Sequence, residues 1–194
     1  MLSYEESLKI LKETDALLDG HFILSSGLHS AQYVQCAQLL SKPYKSDFFC
    51  KSLAEKISEE FKEIDIILSP AMGGVIIGYE IGRLLKKETI FSERVKGEFK
   101  LRRDFKIKKN CKVLVVEDVI TTGKSSIECS KLVEIEEAEL VGFACLIDRS
   151  NGNSSIKKKI ISQIKINIPT YKEEDLPKDL ISLPVIKPGS RELK

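Results

Sequence analysis

Short, largely apolar runs alternate along the chain with longer stretches in which apolar residues recur every three or four positions. The runs lie at residues 64–68, 113–116 and 140–147. Such runs are typical of strands that are buried on both faces of a parallel sheet. The periodic stretches predict helices at 43–61, at about 75–85 and at 124–136. This alternation predicts an α/β fold in which helices flank a parallel sheet.

Further elements are predicted near both ends of the sequence. An amphipathic helix is expected at 3–18, where Ser3 and Glu6 have the spacing of a capping box. Residues 20–35 have the pattern of two short strands around a Ser-Ser-Gly turn, and residues 160–168 alternate as a strand does. No repeat or change in composition divides the sequence, so we expect a single domain over residues 1–194.

The composition is that of an ordinary globular domain. Of the 194 residues, 42% are hydrophobic and 31% are charged, and the net charge of +2 is too small to indicate nucleic acid binding. Five scattered cysteines favour free buried thiols in a reducing cytoplasm, and the presence of only two histidines argues against a zinc site. Glu5 and Glu6 are unlike the start of a signal peptide, and no apolar run has membrane-spanning length. We therefore expect a soluble cytoplasmic protein that binds neither nucleic acid nor membranes.

The most informative segment is VLVVEDVITTGKSS, at residues 113–126. Its strand ends in two adjacent carboxylates, Glu117 and Asp118, and a turn rich in hydroxyl groups then opens a helix. In an open α/β sheet, ligands bind at the carboxyl ends of the strands. Backbone N–H groups at a helix N-terminus favour anions, and Gly123 lets the main chain come close to a phosphate. The segment therefore predicts a phosphate site beside two acids.

Two other interpretations of this segment compete with a sugar-phosphate site. A Walker A loop, G-x-x-x-x-G-K-[ST], needs a glycine where this chain has Asp118, which disfavours a P-loop nucleotide hydrolase. A polar strand end followed by a well-capped helix would need no ligand at all. The combination of buried strand, acids and glycine turn favours a ligand site. Because carboxylates repel phosphate but accept hydrogen bonds from hydroxyl groups, a phosphorylated sugar suits both parts.

A second turn of the same kind follows the predicted strand at 64–68. Residues 69–74 have the sequence Ser-Pro-Ala-Met-Gly-Gly, lead into the next helix and can present several N–H groups to an anion. A tight connection that needs glycine for its backbone alone explains this turn equally well. Beside the acidic motif, anion binding gains weight, because the same ligand would then also carry a diphosphate.

Together these motifs resemble those of the type I phosphoribosyltransferases. VVEDVITTGKS is similar to the phosphoribosyl-diphosphate motif of that family. The segment 20–35 resembles the N-terminal hood of its orotate branch through Phe22, Leu24, Ser25, Ser26, Gly27, Ser30 and Tyr33. The resemblance implies a helix and a small N-terminal hood at about residues 1–40 and a core with the nucleotide-binding motif at about 60–150. It also implies a homodimer.

Roles for individual residues follow from the same resemblance. Glu117 and Asp118 would hold the ribose hydroxyls and take part in catalysis. The 5-phosphate would lie in the loop of Val119, Ile120, Thr121, Thr122, Gly123, Lys124 and Ser125. The diphosphate and its Mg²⁺ would lie at the turn of Ala71, Met72 and Gly73. The metal would thus arrive with the substrate, and no direct side-chain ligand is assigned to it.

Three residues are candidates for the orotate side of the site. Arg149 follows the predicted strand at 140–147 and can clamp a carboxylate through two hydrogen bonds, although a surface ion pair with Asp148 would also explain a lone arginine. In the orotate branch, the arginine that matches Arg149 binds the orotate carboxylate, and the resemblance places Thr121 beside it. Ser25 is the third candidate, but many relatives carry a substrate-binding lysine there, and that contact does not transfer to serine.

Residues 87–110 form a basic segment that allows several interpretations. Its cations include Arg94, Lys96, Lys100, Arg102, Arg103, Lys106, Lys108 and Lys109. A mobile, solvated hairpin is the simplest interpretation, and a nucleic acid surface would lack any recognisable motif. By resemblance, the segment includes a loop that closes over the active site and reaches the site of the neighbouring subunit, where Lys96, Arg102 and Arg103 would stabilise the leaving diphosphate. Arg94 is a further candidate, and the Lys-x-His-Gly loop common in the orotate branch is absent.

The reaction implied by the resemblance joins orotate to the ribose of phosphoribosyl diphosphate and yields orotidine monophosphate and diphosphate, with Mg²⁺ as cofactor. Two alternatives stay open at this point. A phosphoribosyltransferase for another base would need no carboxylate-binding cation at Arg149. A protein that senses phosphoribosyl diphosphate without catalysis would keep the acidic motif alone.

Overall fold

The computed structural model describes residues 1–24 and 26–188. The helices of this part are α1 (Tyr4–Glu13), α2 (Cys36–Leu40), α3 (Pro43–Glu60), α4 (Gly74–Leu85), α5 (Lys124–Ile135) and α6 (Lys178–Ile181). Its strands are β1 (Leu17–Ile23), β2 (His29–Val34), β3 (Ile66–Pro70), β4 (Glu88–Val95), β5 (Glu98–Leu101), β6 (Lys112–Ile120), β7 (Glu139–Asp148), β8 (Ile160–Lys165), β9 (Thr170–Tyr171) and β10 (Val185–Ile186). A 3₁₀ turn lies at Glu173–Asp175.

Six strands form the main sheet in the order β5-β4-β3-β6-β7-β8. Its strands run parallel except for β5, which is antiparallel to β4. Side chains alternate across β6: Leu114 and Val116 join the core that includes α3 and α4, whereas Val113 and Val115 join the core that includes α5. The predicted α/β fold with a helix-flanked parallel sheet is confirmed. Burial on both faces of the sheet explains the unbroken apolar runs.

A second sheet of four strands, in the order β10-β1-β2-β9, forms the hood. Strands β1 and β2 pair antiparallel and confirm the two strands predicted at 20–35. The outer strands come from far along the chain, since β9 pairs with β2 and β10 pairs with β1. Within this sheet the two histidines of the chain, His21 and His29, are buried and hydrogen-bond to each other at 2.7 Å.

The helix predicted at 3–18 is wrong in length. Its capping box is present, since the Glu6 N–H donates to Ser3 Oγ at 3.2 Å and the Ser3 N–H donates to the Glu6 carboxylate at 2.7 Å. However, α1 ends at Glu13, and Asp15 then has a left-handed backbone with a φ of 59°. Pairing of β1 with strands on both sides outweighs the helical pattern of this segment, because it buries Leu17 and supplies ladder hydrogen bonds.

The other predicted elements are confirmed with shifts at their ends. The largest shift that affects the site is in β6, which continues to Ile120 instead of ending at Val116. Because β7 pairs with β6 as far as the Ile120–Asp148 pair, Glu117 and Asp118 lie within the strand and not after it. The basic segment 87–110 contains the ordered hairpin of β4 and β5, at the edge of the main sheet.

Candidate active site

A small pocket of about 100 Å³ lies at the carboxyl end of β6. Its lining consists of Glu117 and residues 119–126. The structure thus brings the predicted phosphate loop, Val119 to Ser125, together with one of the two predicted ribose acids. Since β6 lies between β3 and β7 in the main sheet, the turns that follow those two strands lie at the same edge.

The loop in this pocket depends on a glycine. Gly123 has a φ of 78°, and a Cβ atom at this position would lie 2.7 Å from Cγ1 of Ile156. The loop is further held by the Lys124 N–H, which donates to Thr122 Oγ1 at 3.3 Å, and by the Ser155 N–H, which donates to the Thr122 carbonyl at 3.0 Å. Apart from this contact of Thr122 with Lys124, no side chain of the described residues caps the N-terminus of α5. The N–H groups that follow Lys124 in the first turn therefore remain available to an anion such as a phosphate.

The two acids of β6 face opposite sides of the sheet, as neighbouring residues of a strand do. Toward α5, the carboxylate of Glu117 accepts a hydrogen bond from Ser126 Oγ at 2.9 Å. The carboxylate of Asp118 accepts one from the Val119 N–H at 2.8 Å and lies toward the turn that precedes α4. A ligand at the end of β6 could therefore be contacted by the two carboxylates from two sides.

Burial makes Glu117 and Asp118 weaker acids than they would be in water. It raises the pKa of Glu117 to about 7, and the neighbouring Asp118 charge adds to this effect, whereas the Ser126 hydrogen bond and the Arg94 charge oppose it. Burial also raises the pKa of Asp118, and hydrogen bonds from the backbone oppose that shift. Raised pKa values at an open pocket are typical of functional carboxylates.

The predicted diphosphate turn lies against the second acid. A Cβ atom on Gly73 would lie 2.7 Å from Oδ2 of Asp118, so only glycine allows this close approach. The turn is joined to β4 by the Ala71 N–H, which donates to the Ser92 carbonyl at 2.8 Å, and Met72 is 83% exposed. The structure thus places Ala71, Met72 and Gly73 beside the acidic pair.

Arg149 follows β7 and lies next to the phosphate loop. Its N–H donates to the carbonyl of Ile120 at 2.8 Å, which places it beside Thr121. The side chain is half-buried, and burial lowers the pKa of its guanidinium. Its Nε is buried without a hydrogen-bond partner among residues 1–24 and 26–188, and no ion pair with an acid forms there. The surface ion pair considered for this arginine is therefore wrong, since Asp148 instead accepts a hydrogen bond from the Ser150 N–H at 2.8 Å.

The hood reaches the same region. Tyr33 in β2 lies close to the Arg149 guanidinium. Cys36, which follows β2, is buried and contacts the carbonyl of Asp118 through its thiol at 3.8 Å. The hood and the main sheet thus enclose Arg149 between them.

The cations of the basic segment occupy different positions. Lys96 lies at the exposed tip of the β4–β5 hairpin, whereas Arg102 and Arg103 lie at its base and pair with Glu93 at 3.4 and 2.9 Å. Arg94 pairs with Glu128 at 2.5 Å and stacks on Phe99, 4.1 Å from the ring centre. Of these cations, Arg94 is the one whose charge lowers the pKa of Glu117 in the part of the chain described here.

Sequence reasoning missed some residues that the structure brings to the site. Ser126 is one of the hydroxyl residues after the predicted strand, and no local pattern identifies it as the partner of Glu117. The contact of Glu128 with Arg94 likewise has no local signal, because it depends on how the hairpin packs against α5. The candidate orotate-binding residue Ser25 lies outside the described residues.

The described residues contain neither a metal-binding cluster nor a membrane-spanning helix. No group of three or more His, Cys, Asp or Glu side chains within residues 1–24 and 26–188 is arranged to hold a metal ion. In the same residues, no helix combines the length and apolar character needed to cross a bilayer.

The chain is similar to known proteins over nearly its whole length. Residues 45–177 match the phosphoribosyl transferase domain family. An orotate phosphoribosyltransferase from Parvibaculum lavamentivorans is 48% identical over 193 residues, which cover 99% of this chain and 100% of that protein. The solved structure of orotate phosphoribosyltransferase from Aeropyrum pernix superposes with a TM-score of 0.72 at 23% identity, covering 81% of this chain and 92% of that one. The adenine phosphoribosyltransferase from Thermoanaerobacter pseudethanolicus has a TM-score of 0.60 at 19% identity and covers 70% and 88%.

The two kinds of comparison carry different weight. At these low identities, the solved structures establish the fold alone, which enzymes named for different bases share. The full-length match at 48% identity is closer and includes both the hood and the main sheet. On the family match and this full-length relative, the chain belongs to the phosphoribosyltransferases and, among them, to the orotate phosphoribosyltransferases.

Proposed function

We propose that this protein transfers ribose 5-phosphate from phosphoribosyl diphosphate to orotate, giving orotidine 5′-monophosphate and diphosphate on the way to UMP. The observation that carries the choice of base is the half-buried guanidinium of Arg149, which has no acidic partner among the described residues. A buried cation without a partner is costly, and a carboxylate on the ligand would supply that partner. Orotate carries such a carboxylate, whereas uracil, adenine and hypoxanthine do not.

Each part of phosphoribosyl diphosphate has a matching part of the site. The loop from Thr121 to Ser125 and the N-terminus of α5 would hold the 5-phosphate. Glu117 and Asp118 would accept hydrogen bonds from the ribose hydroxyls, and the turn at residues 71–73 would hold the diphosphate. Thr121 and Arg149 would orient orotate beside the ribose. The site would then fix both reactants in line for transfer.

In the reaction, the bond from the anomeric carbon to the diphosphate oxygen breaks, and the electron pair stays on the oxygen. N1 of orotate forms the new bond to that carbon and releases its proton to water. The carbon gains positive charge in between, so the anionic side chains at the ribose would stabilise the transition state. Arg94, Lys96, Arg102 and Arg103 are the hairpin cations that could approach the leaving diphosphate. No covalent nucleophile is needed.

We also propose that Mg²⁺ takes part and is carried by the diphosphate. Mg²⁺ commonly keeps several waters and binds substrate phosphates with few protein ligands. At the proposed diphosphate turn, Gly73 lacks the Cβ atom that would meet the Asp118 carboxyl, so the backbone there can come close to a ligand. When bound, the ion would neutralise charge on the leaving group.

A homodimer is proposed from an apolar face on α3 and α4. Tyr44, Phe48, Ile76 and Tyr79 are 57–71% exposed there, around a groove of about 460 Å³. The rim carries Arg83 together with its partners Glu80 and Asp47, so a second copy turned by two-fold symmetry would meet both signs of charge.

We expect sedimentation at twice the mass of the chain, and Ile76→Glu should give a monomer. Ile135→Glu, at a more exposed position on α5, should remain dimeric. A monomeric parent would refute the interface.

A cytoplasmic location is proposed as well. All five cysteines are free, and four of them are buried. Burial raises the pKa of Cys50 and Cys129 to about 12, so these thiols stay protonated and unreactive, as structural cysteines of reducing compartments do.

The reaction is tested by following orotate absorbance with purified protein, phosphoribosyl diphosphate and Mg²⁺, with uracil, hypoxanthine and adenine in parallel. We expect turnover with orotate and with none of the other three bases. Turnover should stop when a chelator removes the metal. Turnover with another base would keep the ribose and phosphate assignments but refute the role of Arg149. Tight binding of phosphoribosyl diphosphate without any turnover would support the sensor alternative.

A further inference from the structure

The proposed ribose contact places opposing demands on Glu117. An ionised carboxyl accepts stronger hydrogen bonds from hydroxyl groups than a protonated one, so the ribose contact favours the anion of Glu117. Burial and the adjacent Asp118 both favour the protonated form. Some group near Glu117 must therefore stabilise its charge and also fix the direction of its oxygens.

Ser126 is placed to do both. It is the third residue of α5, is 1% exposed, and donates its hydroxyl hydrogen to Oε2 of Glu117 at 2.9 Å. The hydroxyl thus points across to β6 and does not cap its own helix. A single donor on one carboxylate oxygen leaves the other oxygen, Oε1, for a ligand.

The remaining groups around Glu117 cannot replace this contact. Asp118, its neighbour in β6, has the wrong sign of charge. Arg94 on β4 has the right sign, but Glu128 and the Gly97 carbonyl already accept its hydrogen bonds at 2.5 and 2.7 Å. Cys129 on α5 and Cys145 on β7 are buried thiols whose own pKa values are raised, so they stay neutral. Within the described residues, Ser126 is the one hydrogen-bond donor to Glu117.

We propose that Ser126 is a positioning residue of the active site: its hydroxyl holds Glu117 as an anion and turns Oε1 toward the ribose. This inference rests on the proposed function, because it assumes that Glu117 binds phosphoribosyl diphosphate. It predicts an effect on the pH dependence of binding, which a purely structural role of a buried serine would not produce.

The direction of that effect follows from the raised pKa. Affinity should fall as the pH falls through the pKa of Glu117, about 7, because protonation removes the charge of Glu117 and weakens it as an acceptor. Without the Ser126 hydroxyl, the pKa rises further, so the loss of affinity on acidification begins at a higher pH. One hydrogen bond to a charged group corresponds to a shift of about one pH unit.

The test compares Ser126→Ala with the parent by calorimetric titration of phosphoribosyl diphosphate and Mg²⁺ from pH 6 to pH 9. A shift of one unit predicts about fivefold weaker binding at pH 7 and nearly equal binding at pH 9. Because the same ligand is used throughout, its own titration cancels in the comparison. Ser130→Ala is the matched control: Ser130 lies one turn later in α5, is 5% exposed, and donates to the Ile127 carbonyl at 2.9 Å, so its removal should leave the pH profile unchanged.

A second variant distinguishes the loss of the hydrogen bond from a folding defect. Ser126→Cys keeps nearly the same volume with a much weaker donor, and it should shift the profile in the same direction. In a Glu117→Gln background, Ser126→Ala should cause no further shift. A pH profile that is not displaced, whether or not affinity falls by the same factor at every pH, would refute the proposal that the Ser126 hydroxyl holds Glu117 as an anion. Absence of binding by the parent itself would instead refute the proposed function.

Discussion

Replacement of Asp118 with asparagine should lower kcat by about 10²–10³-fold, the usual cost of removing one electrostatic contact that matters most in the transition state. The side chain lies against the turn at Gly73, where the proposed ribose and diphosphate contacts would meet. Asparagine keeps the shape of the side chain but loses its charge. Steady-state turnover of orotate measures the effect.

Stability distinguishes this effect from misfolding. Since burial raises the pKa of Asp118, its ionised form is disfavoured by the fold, and the neutral amide should leave the thermal unfolding temperature the same or higher. Asp175→Asn provides the control, because Asp175 is exposed and far along the chain from the motif. A kcat close to that of the parent would remove Asp118 from the ribose contact.

Replacement of Arg149 with alanine should raise the KM for orotate by at least about 30-fold, because loss of one partner of a buried charged pair costs roughly 2–5 kcal/mol. The affinity for phosphoribosyl diphosphate should stay within about twofold, since the phosphate and ribose contacts lie on β6 and its loop. Initial rates at varied orotate, and calorimetry with phosphoribosyl diphosphate, separate the two effects.

Two features make this prediction specific. The guanidinium has no ion pair among the described residues, so the alanine variant should unfold at the same temperature as the parent or a higher one. Arg149→Lys keeps the charge but not the planar fork, and should lie between the parent and the alanine variant. An equal loss of affinity for both substrates would mean that Arg149 is a structural residue.

The elements of the core could be predicted because their signals are local. Val113 to Val116 are apolar on both faces, and only a strand between two helical layers buries such a run. The acids, the glycine and the hydroxyls that follow are contiguous, so the phosphate pocket could be predicted from one segment. The contact of Gly73 with Asp118 could not, since it joins residues that are distant in the chain.

The hood contains elements that could not be predicted from local sequence patterns. The sequence from Ala16 to Leu18 continues a helical pattern, and only its partners decide that it becomes a strand. One of these partners is Val185, which no local pattern connects to His21. The hairpin cations were likewise recognisable as a basic segment, but their pairing with Glu93 and Glu128 depends on how the hairpin packs.

The hood joins strands from both ends of the described chain, and this has a consequence for synthesis on the ribosome. The main sheet is complete once β8 has emerged from the ribosome. By then β1 and β2 have long been synthesised, but their outer partners β10 and β9 have not. At about 5–20 residues per second, the delay between β2 and β9 is on the order of ten seconds. An isolated two-stranded hairpin is barely stable in that interval. Because β10 ends at Ile186, 21 residues after β8 ends at Lys165, the hood is completed about one to four seconds after the main sheet at this rate, and competence for the base arrives last.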